Sequence, residues 1–174
     1  HTDLNVIAIT DHDEIAGARE AVDLAPAYQV EVIPGSEIST AEGHLLALFL
    51  KERVPAGKSL AETVLRVGEQ GGLCIAAHPM ARGMNSLSAE SIRAALLVPG
   101  VPQILVGIEA FNAGLFHRQS NQAAWALARS LPLAEADSSE LAALAWTARS
   151  ICDTAVFNWS MPVVCSRHAA LTSA

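Results

Sequence analysis

The sequence predicts an α/β fold built on a largely parallel sheet, open or closed into a barrel, with the barrel form favoured. Three observations carry this. Short β-branched runs alternate with stretches of helical periodicity, glycine and proline punctuate the boundaries, and the residues capable of chemistry fall where the runs end. At 174 residues, 51% of them apolar, the chain suits one domain closing a single hydrophobic core.

Asn5-Val-Ile-Ala-Ile-Thr10 is a continuous apolar run ending in a polar residue, the pattern of a buried strand. A loop and a helix over 14–24 follow, with apolar positions at helical spacing. Val30-Glu-Val-Ile33 predicts a second strand stopped by Pro34-Gly35, and His44-Leu-Leu-Ala-Leu-Phe-Leu50 a third. A helix over 60–70 is ended by Gly71-Gly72, and Leu73-Cys-Ile-Ala-Ala77 is the fourth strand. Ser88 is the N-cap of a helix reaching about residue 97, with Ser91 where a capping box would have Glu. Gln103-Ile-Leu-Val-Gly-Ile108 is the fifth strand, and 116–131 a further helix. From about Ser150 the chain shows scattered apolar residues, Pro162 and a small-residue tail without periodicity. The expected organisation is one domain over 1–149 and an irregular segment over 150–174.

Charged residues or His interrupt every apolar stretch before the roughly 18 residues a membrane span needs, so no transmembrane helix is expected. No basic region followed by an apolar run opens the chain, which predicts a cytoplasmic location. Cys74, Cys152 and Cys165 lack CxxC spacing and read as buried or incidental thiols. A formal charge of −7 excludes a broad electrostatic grip on duplex nucleic acid, which rests on clustered Lys and Arg. Bound divalent cations would reverse the local sign and let an acidic protein hold a phosphate.

In α/β folds functional side chains gather at the carboxyl ends of strands. Asp11, His12 and Asp13 follow the first strand, Glu37 the second, His78 the fourth, and Glu109 and Asn112 the fifth. Glu37 and His44 flank the turn-like Ser39-Thr-Ala-Glu-Gly43, so a hairpin there would set both at its open end. Imidazole and carboxylate donors from separate strand ends are what divalent ions want when they activate water for attack on phosphorus, a carboxylate being able to bridge two ions. Each residue also has a plainer reading. Asp13 stands where the N-cap of the 14–24 helix would be, Asp11 could orient an imidazole, His44 could be a core histidine, and Asp137 could cap a helix at Leu141. The ordered set is more specific than any member. His1, His117 and His168 read as incidental.

That set, in order, resembles the polymerase and histidinol phosphatase (PHP) family. The matching segments are Val6-Ile-Ala-Ile-Thr-Asp-His-Asp13, Ile33-Pro-Gly-Ser-Glu-Ile-Ser39, Gly43-His-Leu-Leu-Ala-Leu-Phe49, Gly72-Leu-Cys-Ile-Ala-Ala-His-Pro79 and Val106-Gly-Ile-Glu-Ala-Phe-Asn112, covering about residues 3–137. The resemblance implies a distorted seven-stranded β/α barrel of the TIM-like kind, two or three Mn, Fe, Zn or Mg ions, and hydrolysis of a phosphoester, with a nucleotide or short RNA as substrate. It places His12, Glu37, His44 and His78 at metal positions, Glu37 as the bridge, and Asp11 and Asp13 beside the site as catalytic partners. Asp137 or Glu140 could replace the family's closing acid as a further metal ligand; the short 80–103 interval offers Arg82 and Arg93 as possible phosphate holders, and Asn112 after the fifth strand also points toward substrate.

Two departures stand against these matches. The family opens with an HxH motif on an earlier strand, and here the chain begins just ahead of the Thr-Asp-His segment. The family closes with Ser-Asp-Ala-His, where this chain reads Ala136-Asp-Ser-Ser-Glu140 with no histidine following. A truncated barrel with an exposed edge and a site holding one ion firmly is the expectation. Two rivals remain: a catalytically degenerate barrel with a structural or protein-binding role, and an amide hydrolase using a carbamylated lysine. Lys51 and Lys58 do not close a strand beside the site, which disfavours the second.

Overall fold

The computed structural model describes residues 5–81, 85–109 and 118–131. Its elements run β1 (Val6–Ile9), α1 (Ala16–Tyr28), β2 (Glu31–Ser39), β3 (His44–Leu48), α2 (Leu60–Glu69), β4 (Leu73–Ala76), α3 (Ala89–Leu96), α4 (Val101–Ile104), β5 (Leu105–Ile108) and α5 (Arg118–Ser130). The α/β alternation is as expected. Among the described residues the strands form one five-stranded sheet in the order β1-β2-β3-β4-β5, with β1 and β5 at its edges. The sheet is not closed, so the seven-stranded barrel is not what these residues build.

Pairing is parallel between β1 and β2, antiparallel on both sides of β3, and parallel between β4 and β5. Four strands therefore point one way and β3 alone runs back. The reason is the short 40–43 connection, which can only return the chain antiparallel, whereas parallel neighbours need a long crossover. This reversal places the start of β3 level with the carboxyl ends of the other four strands. Ser39 pairs with His44 as the last pair before the turn, so Glu37 and His44 lie at the turn end of the hairpin rather than at its open end.

Several boundaries differ from expectation, each for a local reason. Strand β2 continues through Pro34-Gly35, because Pro34 keeps its carbonyl in use, accepting from Leu50 N at 3.0 Å. Gly35 leaves room where a Cβ would come within 2.5 Å of Ala47 O. Helix α1 starts at Ala16 because the Glu14 carboxylate accepts from Ile15 N at 2.8 Å and Ala16 N at 3.3 Å. Its N-cap is Ile15 with no side-chain cap bond, which removes Asp13 as a cap. The helix continues past Leu24 to Tyr28 and stops at left-handed Gln29, φ 54°. Strand β3 ends early at Phe49, φ 62°. Residues 103–104 belong to the helical turn α4 instead of β5.

The sheet separates two apolar layers. One face, with Ile38, Leu45, Ala47, Cys74 and Ala76, packs beneath the helices. The other carries Ile33, Leu46, Leu48, Ile75 and Ala77. Glu37 and His44 share this second face, since Glu37 pairs with Leu46 and strand side chains alternate. Cys74 is fully buried, and burial pushes its thiol far above the usual range, in keeping with an inert core cysteine. No helix among the described residues is long and apolar enough to cross a membrane.

The Ser88 cap is formed as expected, its hydroxyl accepting from Ser91 N at 3.0 Å. Ser88→Ala should lower stability by about 1 kcal/mol, read as a lower urea midpoint with an unchanged slope.

Candidate metal centre

The Thr10 to Asp13 segment leaves β1 and runs beside β2. Glu37 N donates to Asp11 O at 3.1 Å and Asp13 N to Glu37 O at 3.0 Å, which sets His12 opposite Glu37 as an isolated parallel bridge. Asp13 takes a left-handed conformation, φ 54°, and its carboxylate accepts from Ser39 N at 2.7 Å. The carbonyl of Asp11 also accepts from Ser36 Oγ at 3.0 Å. Both acids thus tie the loop to β2. The ligand atoms of Asp11 and Asp13 are not part of the candidate metal group.

That group, among the described residues, is His12, Glu37 and His44, whose ligand atoms all lie within 4.8 Å of one another. His78 adds a further imidazole at its edge. His44 Nδ1 lies 3.0 Å from Glu37 Oε1, and His78 Nε2 lies 3.1 Å from the same oxygen. The two ring nitrogens are themselves 3.3 Å apart. His12 Nε2 lies 3.9 Å from the other oxygen, Oε2. Bonds of about 2.0–2.2 Å to one ion set neighbouring donors roughly 2.9–3.4 Å apart. The triangle of Glu37 Oε1, His44 Nδ1 and His78 Nε2 has edges in that range, so this donor set fits a divalent ion with only small adjustment.

Burial grades across the site: the side chain of His78 is 1% exposed, those of Glu37 and His44 13% and 17%, and that of His12 61%. His12 is therefore the rim of the cluster and His78 its floor. Burial pushes the Glu37 carboxyl up, but the His78 hydrogen bond and the charges of His12, His78 and His44 outweigh it and hold it below the usual range. Burial lowers the His44 imidazole, and the neighbouring histidines lower it further against the pull of Glu37. A carboxylate kept ionised beside an imidazole kept neutral is the protonation state that metal ligands require.

His78 is anchored by two residues outside the predicted ligand set. Glu109 Oε2 accepts from His78 N at 2.7 Å, and Ser86 Oγ lies 2.9 Å from His78 Nδ1. Glu109 was visible as a strand-end acid, whereas Ser86 lies in an irregular stretch with no signal. Arg53, also unforeseen, donates from Nε to Asp13 O at 2.7 Å. Arg93, expected as a possible phosphate holder, instead reaches Ser130 on α5 at 3.1 Å. The expected Arg82, Asn112 and Asp137 lie outside the described residues.

No family model matches the chain. Two uncharacterized proteins of Methanocaldococcus jannaschii are similar in sequence. One is 41% identical over 115 residues, covering 66% of this chain and 61% of its own length. The other is 39% identical over 74 residues, covering 42% of this chain and 27% of its own. The chain thus spans about three-fifths of the first relative and about a quarter of the second. Among solved structures, the fold is similar to that of a Bifidobacterium adolescentis protein predicted to be a metal-dependent phosphoesterase, with TM-score 0.58 and 14% identity over 82% of this chain and 85% of that one. It is also similar to a two-domain Bacteroides vulgatus protein containing a predicted PHP-like metal-dependent phosphoesterase, with TM-score 0.53 and 20% identity over 71% of this chain and 40% of that one. At these identities the likeness establishes the fold.

Proposed function

We propose that this chain carries the site of a metal-dependent phosphoester hydrolase of the PHP kind, acting on a small phosphorylated substrate such as a nucleotide or short oligonucleotide. The single observation that supports it best is the convergence of His44 Nδ1 and His78 Nε2 on Glu37 Oε1, with separations of 3.0, 3.1 and 3.3 Å. Two imidazole nitrogens and a carboxylate oxygen so placed can ligate a common divalent ion.

In this reading His12, His44 and His78 would be ligands of divalent ions, and Glu37 the carboxylate shared between them. Such ions supply Lewis acidity toward the phosphoryl oxygens and lower the pKa of water held beside them. Glu37 keeps its charge at neutral pH and offers an oxygen to either side. Asp13 and Asp11 hold the loop that carries His12, the first by its carboxylate on Ser39 N and the second by its carbonyl on Glu37 N. Since the chain is acidic, the phosphate would be attracted by the bound cations, with Arg82 and Asn112 as the substrate contacts and Asp137 as a further ligand.

The test is metal analysis of the purified chain, then hydrolysis of p-nitrophenyl phosphate and of a nucleoside 3′,5′-bisphosphate with added Mn. Metal retained on gel filtration, and turnover lost on chelation and restored by Mn, is the expected result. A chain that takes up no Mn or Zn and turns over neither substrate would overturn it in favour of a degenerate, structural role.

A further inference from the structure

We infer that Glu109 and Ser86 are positioning residues of this centre, acting through His78; the inference rests on the metal-centre reading above. Strand β4 ends at Ala76, and the chain must then leave the sheet. It does so with two non-glycine residues in the left-handed region within three positions, His78 at φ 27° and Met80 at φ 65°, with Pro79 between them. Backbone of this kind persists only where its surroundings over-determine it.

Glu109 supplies that determination. Its own N–H donates to Ala76 O at 2.9 Å, carrying the β4–β5 ladder one step beyond the Ala76 and Ile108 pair. Its carboxylate then reaches back and accepts from His78 N at 2.7 Å, replacing the strand carbonyl that the departing chain no longer meets. Glu109 and His78 are each 1% exposed. A buried carboxylate is costly unless well hydrogen-bonded, and the bond from His78 N offsets part of that cost.

Ser86 fixes the remaining freedom of the ring. Its hydroxyl lies 2.9 Å from His78 Nδ1, leaving Nε2 to face Glu37. The segment bearing Ser86 is held against the start of β3, with His44 N donating to Asn85 O at 2.8 Å and Met80 N to Leu87 O at 3.1 Å. His78 is thus pinned at its backbone nitrogen by Glu109, just past β5, and at its outer ring nitrogen by Ser86. A partner on the outer nitrogen is what orients a metal-binding histidine and sets its tautomer.

The experiment is titration of the full chain with Zn, and with Co as a spectroscopic probe, for Glu109→Ala, Glu109→Gln and Ser86→Ala, each also combined with His78→Ala. Outer partners of metal ligands typically carry 10–100-fold in affinity, so Glu109→Ala and Ser86→Ala should each weaken Zn binding within that range and alter the Co visible spectrum. Glu109→Gln, whose amide oxygen still accepts from His78 N, should stay within a few-fold of the unsubstituted chain. In the His78→Ala background neither alanine change should weaken binding further. The inference is overturned if Glu109→Ala and Ser86→Ala bind Zn like the unsubstituted chain, or if their effects persist undiminished without His78. Should Glu109→Ala fail to fold, Glu109→Gln and the Ser86→Ala cycle decide it alone. Failure of the unsubstituted chain to bind any metal would sink the metal-centre reading itself, a separate outcome.

Discussion

Glu37→Gln is expected to abolish metal-dependent hydrolysis and to weaken Zn or Mn binding by more than about 100-fold, beyond the loss that outer partners of a ligand produce. The carboxylate is the hub of the cluster: Oε1 meets His44 at 3.0 Å and His78 at 3.1 Å, and Oε2 faces His12 at 3.9 Å. Glutamine keeps the shape and can still accept from an imidazole N–H, so the hairpin that carries it should stay folded. What it lacks is the charge that a divalent ion requires of its carboxylate ligand. Metal content by elemental analysis, with the thermal melt as control, separates the two effects. Unchanged metal content in Glu37→Gln would remove the centre as described.

Gly43→Ala should be the most damaging small substitution in the described fold, costing on the order of 2–5 kcal/mol from left-handed strain and overpacking together. Gly43 adopts φ +150°, and a Cβ there would lie 2.6 Å from Leu87 N and 2.7 Å from Ser86 C. Both are backbone atoms of a segment bonded to β3, so neither yields cheaply. Pushing Ser86 aside also removes the anchor on His78 Nδ1, and metal affinity should fall along with the urea midpoint. Gly57→Ala is the matched control, because Gly57 also has positive φ, at +77°, but nothing within 4 Å of the added carbon. If Gly43→Ala unfolds no more readily than Gly57→Ala, the tight contact between residue 43 and the 86–87 backbone is not a constraint on this fold.

Local chemistry made much of this legible. The apolar runs, the Ser88 cap and the stop at Gly71, φ +78°, depend on residues a few positions apart, and they fall close to where periodicity puts them. The histidines and acids at strand ends were likewise readable, because α/β topology sends such ends to one rim. The readings that failed turned on partners far away in the chain. Pro34-Gly35 stops a strand by local rule, yet β2 passes through it because Leu50 and Ala47 approach from β3. Asp13 looks like a cap, but its carboxylate is claimed by Ser39.

By itself, then, the sequence determined the α/β alternation, most element centres and the candidate set His12, Glu37, His44 and His78. Only the tertiary structure decided that β3 runs backward and brings His44 to the rim, that the sheet of the described residues is open, and that Glu109 and Ser86 hold His78. The physical reason is range: periodicity and capping act within a turn or two of chain, whereas a bond such as Glu109 to His78 or His78 to Glu37 spans 31 or 41 residues and exists only once the sheet has paired.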